Sequence, residues 1–400
     1  MTHAGLSKSF VGMFKETSIA YFFDLGGLFA GFMVASQLGV FRLSPWAIAL
    51  YPAIISAKGV IEGLLSGRLS TALHLGTVYP RFFMNTKSFY KLIEAVIVLT
   101  LATSVAMSTI SLVFGHLFWG ITFADFPAIL SVVVATMAIG LVLLLVTIKV
   151  AFISFKRGLD PDVVVYPVMS TVATIFITFC FIVTLNLFFC SNYLGRYITV
   201  ILGLAHLLIV FYIFPRNTHE PEFIKTIRES LVALMFVAFI VNITGTILKG
   251  ISDFVRDRKE IYTVYPALIG LVGDVGSVVG STATTKLALG LLRPSLSSMR
   301  NHAKNIFSAW VASIIMFVVL ALSGLSIHGL FSLSAFSSLV SILLVANVIA
   351  VTMIVLLSYA VSILTFQKGL DPGNFVIPIE SSFAASITSV ALLMALHLVG

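Results

Sequence analysis

The chain has 400 residues, of which 59% are hydrophobic and 10% charged, with a formal net charge of +8 and a mean hydropathy of +1.10. That leaves too little polar surface to keep a folded domain in water, which excludes a soluble enzyme and predicts a polytopic membrane protein. The positive balance belongs on loops facing anionic lipid, so the lipid bilayer is the expected partner and no nucleic acid is.

Taken in order, the apolar segments run over about 18–40, 46–68, 90–115, 127–153 and 162–189, then 197–214, then 230–251, 262–283, 305–327, 336–366 and 373–398. Each is long enough to cross the hydrocarbon core as a helix, and in lipid a helix satisfies its own backbone, so about eleven spans are expected. The glycine- and serine-rich segments 46–68 and 262–283 are candidates for broken or re-entrant helices. The N-terminus lacks a short apolar core followed by small residues, so no removed signal peptide is expected. Cys180, Cys190 and eight scattered histidines give neither a disulfide framework nor metal-ligand spacing.

One stretch occurs twice. Phe155-Lys-Arg-Gly-Leu-Asp-Pro-Asp-Val-Val-Val-Tyr-Pro167 returns as Phe366-Gln-Lys-Gly-Leu-Asp-Pro-Gly-Asn-Phe-Val-Ile-Pro378. Prolines test the repeat: Pro52/Pro266 and Pro80/Pro294 are 214 apart, Pro161/Pro372 and Pro167/Pro378 are 211 apart. Gly59/Gly273, Gly76/Gly290 and Glu16/Glu229 keep nearly the same spacing. The expected organisation is a first five-helix repeat over 1–190, a linking helix and loop over 191–228, and a second five-helix repeat over 229–400. Lysine and arginine favour a cytosolic N-terminus and an outer C-terminus, sixteen residues falling inside against six outside. With the linking helix restoring direction, the two repeats are expected to be related by a pseudo-two-fold axis along the membrane normal.

Chemistry inside the spans rests on acids, each costing about 2.5–3.5 kcal/mol at the bilayer centre unless paired or hydrated. Asp24, Glu62, Asp274 and Glu380 are the clear cases, against embedded Lys58 and Lys149. Carboxylates without cysteine or histidine clusters suit a hard divalent cation. Alternatives stand beside this reading. Glu62 is placed to pair with Lys58 one turn earlier, and Asp24 also reads as a buried hydrogen-bonding group. Asp160 and Asp371, each before proline, read as helix caps. No P-loop, nucleophile elbow or metal-hydrolase motif occurs, so neither an enzyme nor a cofactor is expected.

Pro52-Ala-Ile-Ile-Ser-Ala-Lys-Gly-Val-Ile-Glu-Gly-Leu-Leu-Ser-Gly-Arg-Leu-Ser-Thr71 resembles the signature of solute carrier family 41, relatives of the MgtE magnesium channels. Pro266-Ala-Leu-Ile-Gly-Leu-Val-Gly-Asp-Val-Gly-Ser277 is similar to the glycine-asparagine-glycine-serine stretch on the second helix of MgtE. Leu159 to Pro167 and Leu370 to Pro378 resemble the start of that family's fifth helix. The resemblance spans essentially the whole membrane body. It implies a pathway between the two repeats for Mg2+ or another divalent cation, in a cell-membrane protein that fusion of the halves permits to work as a monomer. It also implies an ion-binding aspartate on the fifth helix. Counted from Pro167 and Pro378, the matching positions here are Thr174 and Ala385, while the second-helix asparagine position is Val60 in one half and Asp274 in the other. The candidate cation ligands are therefore Asp274, Glu62 and Glu380, with Ser170, Thr174 and Ser381 as neutral oxygens. A transporter of another substrate on the same scaffold, or a non-transporting membrane subunit, are the alternatives.

Overall fold

The computed structural model describes residues 10–157, 161–191, 193–369 and 373–399. Among them no strand occurs. The long helical segments are α1 (Phe10–Ser36, with a 3-10 turn at Phe23–Gly26), α2 (Pro45–His74), α3 (Lys87–Phe114), α4 (Phe123–Lys156), α5 (Pro161–Phe189), α6 (Tyr193–Asn217), α7 (Pro221–Val255), α8 (Lys259–Ala288), α9 (Met299–Ile327), α10 (Leu333–Gln367) and α11 (Gly373–Val399). Nine helices among the described residues are long and apolar enough to cross a membrane. The expectation of eleven adds α2 and α11, whose support is the sequence.

Local signals set the boundaries. Proline opens α2, α5 and α7 at a position whose N–H would have no partner anyway. Thr86 and Ser332 cap α3 and α10 by accepting from Phe89 N and Ala335 N. The glycines Gly76 and Gly290, matched in the sequence repeat, close α2 and α8 at φ of +70° each. Only glycine takes that conformation without penalty, which is why both halves keep it. The second helices are not broken: α2 and α8 each run 30 residues without interruption, with Pro52 and Pro266 inside them. The expectation of a re-entrant segment fails because both helices are buried in protein, where neighbours support the backbone around proline.

Two compact units emerge, one formed by residues 1–35 and 257–400, the other by 36–256. In the first, α8 packs on α9, α10 and α11, and α1 packs on α8 and α9. In the second, α2 packs on α4, α5 and α7, and α3 packs on α4 and α7. Each unit therefore takes its first helix from the other sequence repeat. The contacts that hold these first helices match: a Cβ on Gly31 would lie 2.0 Å from the carbonyl oxygen of Thr263, and a Cβ on Gly245 would lie 2.0 Å from that of Ala49. Both glycines, and both contacted residues, are 214 apart in the chain. Small residues that let backbones touch are the usual adhesive between helices in lipid, where burial in itself gains little.

The lysine and arginine cluster near 249–259 is partly neutralised within each unit. Lys249 pairs with Asp253 at 3.2 Å, and Arg258 with Glu260 at 2.9 Å.

A candidate cation site in the first compact unit

The site is assembled by a glycine ladder. On α1, Gly27 and Gly31 stand four residues apart, and a Cβ on Gly27 would lie 2.8 Å from the Ala267 backbone. With Gly31 against Thr263 one turn further on, α1 and α8 run antiparallel at backbone contact. One turn back along α1 the same register brings Asp24 onto Gly270, where a Cβ would meet Asp24 Oδ1 at 2.6 Å. The helix tightens into a 3-10 turn at this point, Phe23–Gly26, a departure that commonly marks a functional position.

Asp24, so placed, brings its carboxyl within hydrogen-bonding range of the carboxyl of Asp274 on α8. Two carboxyl groups approach in this way only with a proton or a metal cation between them. Asp24 is buried and its Oδ2 has no partner. Tyr21, fully buried one turn before Asp24, lies close enough to feel both aspartate charges, and its hydroxyl also lacks a partner.

Glu380 on α11 adds a third carboxyl. It is 1% exposed, neither of its oxygens is hydrogen-bonded, and it lies within electrostatic reach of Asp274. Ser358 on α10 faces it without a well-formed hydrogen bond. Gly276 leaves the room: a Cβ there would lie 2.8 Å from Ser358 Oγ and 3.3 Å from Glu380 Cδ. The unit thus concentrates three acids within its helices, Asp24 and Glu380 buried and Asp274 half-buried, and at least two unpartnered hydroxyls, all of them oxygen donors. No salt bridge to Asp24, Asp274 or Glu380 is found among the described residues. They do not form a tight cage: among the described residues no three histidine, cysteine, aspartate or glutamate side chains converge closely enough to hold a bare ion. Oxygen donors spaced this way suit a cation that keeps part of its water shell, as Mg2+ does.

The other expected ligands lie elsewhere. Glu62 belongs to the second unit, where it is buried against Lys58 at 2.7 Å and accepts a hydrogen bond from Thr147. Thr174, half-buried on α5, donates to the Ser170 carbonyl at 2.9 Å, and the Ser170 side chain is exposed. Both belong to the second unit. The Ser381 side chain, and Asp160 and Asp371 entirely, fall outside the described residues. Ala385, at the fifth-helix position where the family resemblance expects an acid, is buried; its neighbour Ala384 sits 3.5 Å from where a Gly273 Cβ would be.

Residue-by-residue reading left Asp24, Tyr21 and Ser358 out of the ligand set. A signal existed for Asp24, whose bilayer cost demands a partner and which precedes a Gly-x-x-x-Gly pair. None existed for Ser358, one of many serines in apolar helices.

Helices built to cross a bilayer, with unneutralised acids buried among them, define a membrane protein that handles cations. A family model described as the MgtE divalent cation transporter matches residues 51–184 and 265–395, well over half of the chain, and the chain belongs to that family. It is similar to solute carrier family 41 member 3 of Mus musculus, 21% identical over 359 residues, covering 83% of this chain and 70% of that one. The Rattus norvegicus protein of the same description is 21% identical over 383 residues, covering 88% and 80%. No solved structure matches.

Proposed function

We propose that this protein carries a divalent cation, Mg2+ before others, across the membrane, and that Asp24, Asp274 and Glu380 hold the ion on its way. The observation that carries this reading is the Asp24–Asp274 carboxyl contact beside the unpaired, buried Glu380. Three acids without a salt-bridge partner offer enough negative charge to balance a divalent ion, and they remain costly until one arrives. The ligands come from both sequence repeats, Asp24 from the first and the others from the second. That supports a pathway where the repeats meet, inside one compact unit. A hydrated ion needs no fifth-helix aspartate if the charge is supplied from α1, α8 and the start of α11 instead. We further propose that all eleven helices span the cell membrane with the N-terminus cytosolic and the C-terminus outside, and that one chain suffices for transport.

The test is Mg2+ flux into proteoliposomes loaded with a fluorescent indicator. Asp274→Asn and Glu380→Gln should each lower the rate about tenfold or more, the effect of ~1.4 kcal/mol lost from ion binding. Wild-type protein silent to Mg2+, Mn2+ and Co2+ alike would move the assignment to another substrate on this scaffold. Unchanged flux in both variants would remove these residues from the pathway.

A further inference from the structure

We propose that Lys58 is a tethered cation that fills, in the second compact unit, the pocket corresponding to the Glu380 pocket of the first, leaving the chain with one open cation site and one latent one. The inference rests on the preceding reading for what the first unit does, but its own observations lie in the second.

The two pockets correspond through the repeat. Thr147 and Ser358 each stand eleven residues before the glycine of a Gly-Leu-Asp-Pro stretch, and Glu62 and Gly276 are 214 apart. In the second unit Glu62 reaches from α2 to the Thr147 hydroxyl on α4. In the first unit a Cβ at Gly276 would crowd Ile354 Cγ1 at 2.7 Å and Ser358 Oγ on α10 at 2.8 Å, with the Glu380 carboxyl carbon arriving from α11 at 3.3 Å. Position 169, which matches Glu380 at 211, is Met169. Each pocket therefore holds one carboxyl against one hydroxyl, delivered by the second helix in one unit and by the fifth in the other.

What differs is the counter-charge. Lys58 is fully buried, and its Nζ lies 2.7 Å from Glu62 Oε1. Its stem passes Gly140, where a Cβ would meet Lys58 Cε at 3.8 Å, and its charge reaches Cys180 on α5. The matching position in the first unit is Val272, and Asp274 is matched by Val60. In the second unit one carboxylate is thus balanced by one ammonium, a closed account in which a divalent ion has no place. An ammonium with three protons and one carboxylate partner is also poorly satisfied, so the Glu62 charge, more than a donor set particular to lysine, holds it there. Removal of the Lys58 charge should let a free monovalent cation take its position.

The experiment is thermal unfolding of the full chain in detergent, in potassium chloride against choline chloride at equal ionic strength. Lys58→Met should gain at least ~2 °C in potassium, the size expected for a stabilisation of about 1 kcal/mol or less. Wild type and the neutral double variant Lys58→Met/Glu62→Gln should show no difference between the salts. A Lys58→Met protein indifferent to potassium overturns the proposal. So does one that cannot be recovered in either salt while the double variant can, because potassium then fails to replace the ammonium. Mn2+ addition reads the other pocket separately: stabilisation of wild type and of Lys58→Met, lost in Asp274→Asn, reports on the first unit whatever potassium does in the second.

Discussion

Gly276→Ala tests the crowding of the proposed site with the smallest possible change. The new methyl would sit 2.7 Å from Ile354 Cγ1, 2.8 Å from Ser358 Oγ and 3.3 Å from Glu380 Cδ. Ile354 and Ser358 are both fully buried, so neither can swing away cheaply. Overpacking of this kind costs about 1–3 kcal/mol, and replacing a helical glycine returns about 1 kcal/mol, for a net loss of ~0–2 kcal/mol. Folding should survive with Tm lowered by only a few degrees. Glu380 must shift to make room, and Mg2+ flux should fall about tenfold, equivalent to ~1.4 kcal/mol of ion binding. Gly273→Ala, three residues earlier on α8, is the control. Its methyl would meet Ala384 Cβ at an ordinary 3.5 Å, so it should be neutral or stabilised by up to about 1 kcal/mol, with flux unchanged. Equal flux from the two variants, both folded, would refute the claim that Gly276 makes room for a working Glu380.

Asp24→Asn should keep the contact with Asp274, since an amide donates where a shared proton was needed, and should hold stability within ~1 kcal/mol while Mg2+ flux drops with that of Asp274→Asn. Glu62→Gln should do the opposite: it strands the buried Lys58 ammonium at a cost of about 3–5 kcal/mol, visible as a lowered Tm, yet flux per folded molecule should be retained. Gly31→Ala and Gly245→Ala each place a methyl 2.0 Å from a carbonyl oxygen on a neighbouring helix. Because backbone cannot yield as a side chain can, each should reach or exceed the upper end of the usual overpacking cost, ~3 kcal/mol, and reduce folded yield. His328, at the end of α9, has its pKa lowered by burial and then by the Lys259 charge, with Glu260 opposing, and it shares a 2.7 Å hydrogen bond with Thr263. A lowered histidine pKa means the unfolded chain takes up protons first, so this contribution to stability is present above about pH 6.5 and is lost as pH falls below it. Tm should therefore decline between pH 7.5 and pH 5.5, with a shallower decline in His328→Gln.

Much of this was legible before any coordinates. The membrane class followed from composition and the order of the helices from apolar length, although several helices begin or end six or more residues from the apolar segments, as at Phe10, His74 and Pro221. Asp274 and Glu380 were identifiable because an acid in a span is expensive and must have a use or a partner. The pairing of Glu62 with Lys58 was visible as a four-residue spacing, and it is what the structure shows. What stayed hidden was which helices meet. A repeat read along the chain suggests that each half packs with itself, whereas Gly31 on Thr263 and Gly245 on Ala49 show the first helices packing on the opposite repeat. Asp24 could not be assigned to Asp274 while the two were counted in separate halves, because the 249 residues between them carry no pairing signal.

The same exchange explains why transferring family positions one at a time gives an incomplete site. Measured at the fifth helix, the acid is missing: Thr174 and Ala385 stand at the matching positions. Measured by pocket, negative charge is present and has moved. The slot beside the fourth-helix hydroxyl of the first unit is tight: a Cβ at Gly276 would lie 2.7 Å from Ile354 Cγ1, 2.8 Å from Ser358 Oγ and 3.3 Å from Glu380 Cδ. Each unit carries one of the two, Glu62 or Glu380, with Met169 or Gly276 at the matching position. Once the repeats are fused in a single chain the two pockets are free to diverge, because a change in one is no longer copied into the other. In this chain the acid of one pocket is neutralised by Lys58, whereas Asp24 and Asp274 add to the charge near Glu380 in the other. What sets the two pockets apart is the charge of the whole pocket, and it is there, not at any one aligned residue, that the capacity for a cation has to be sought.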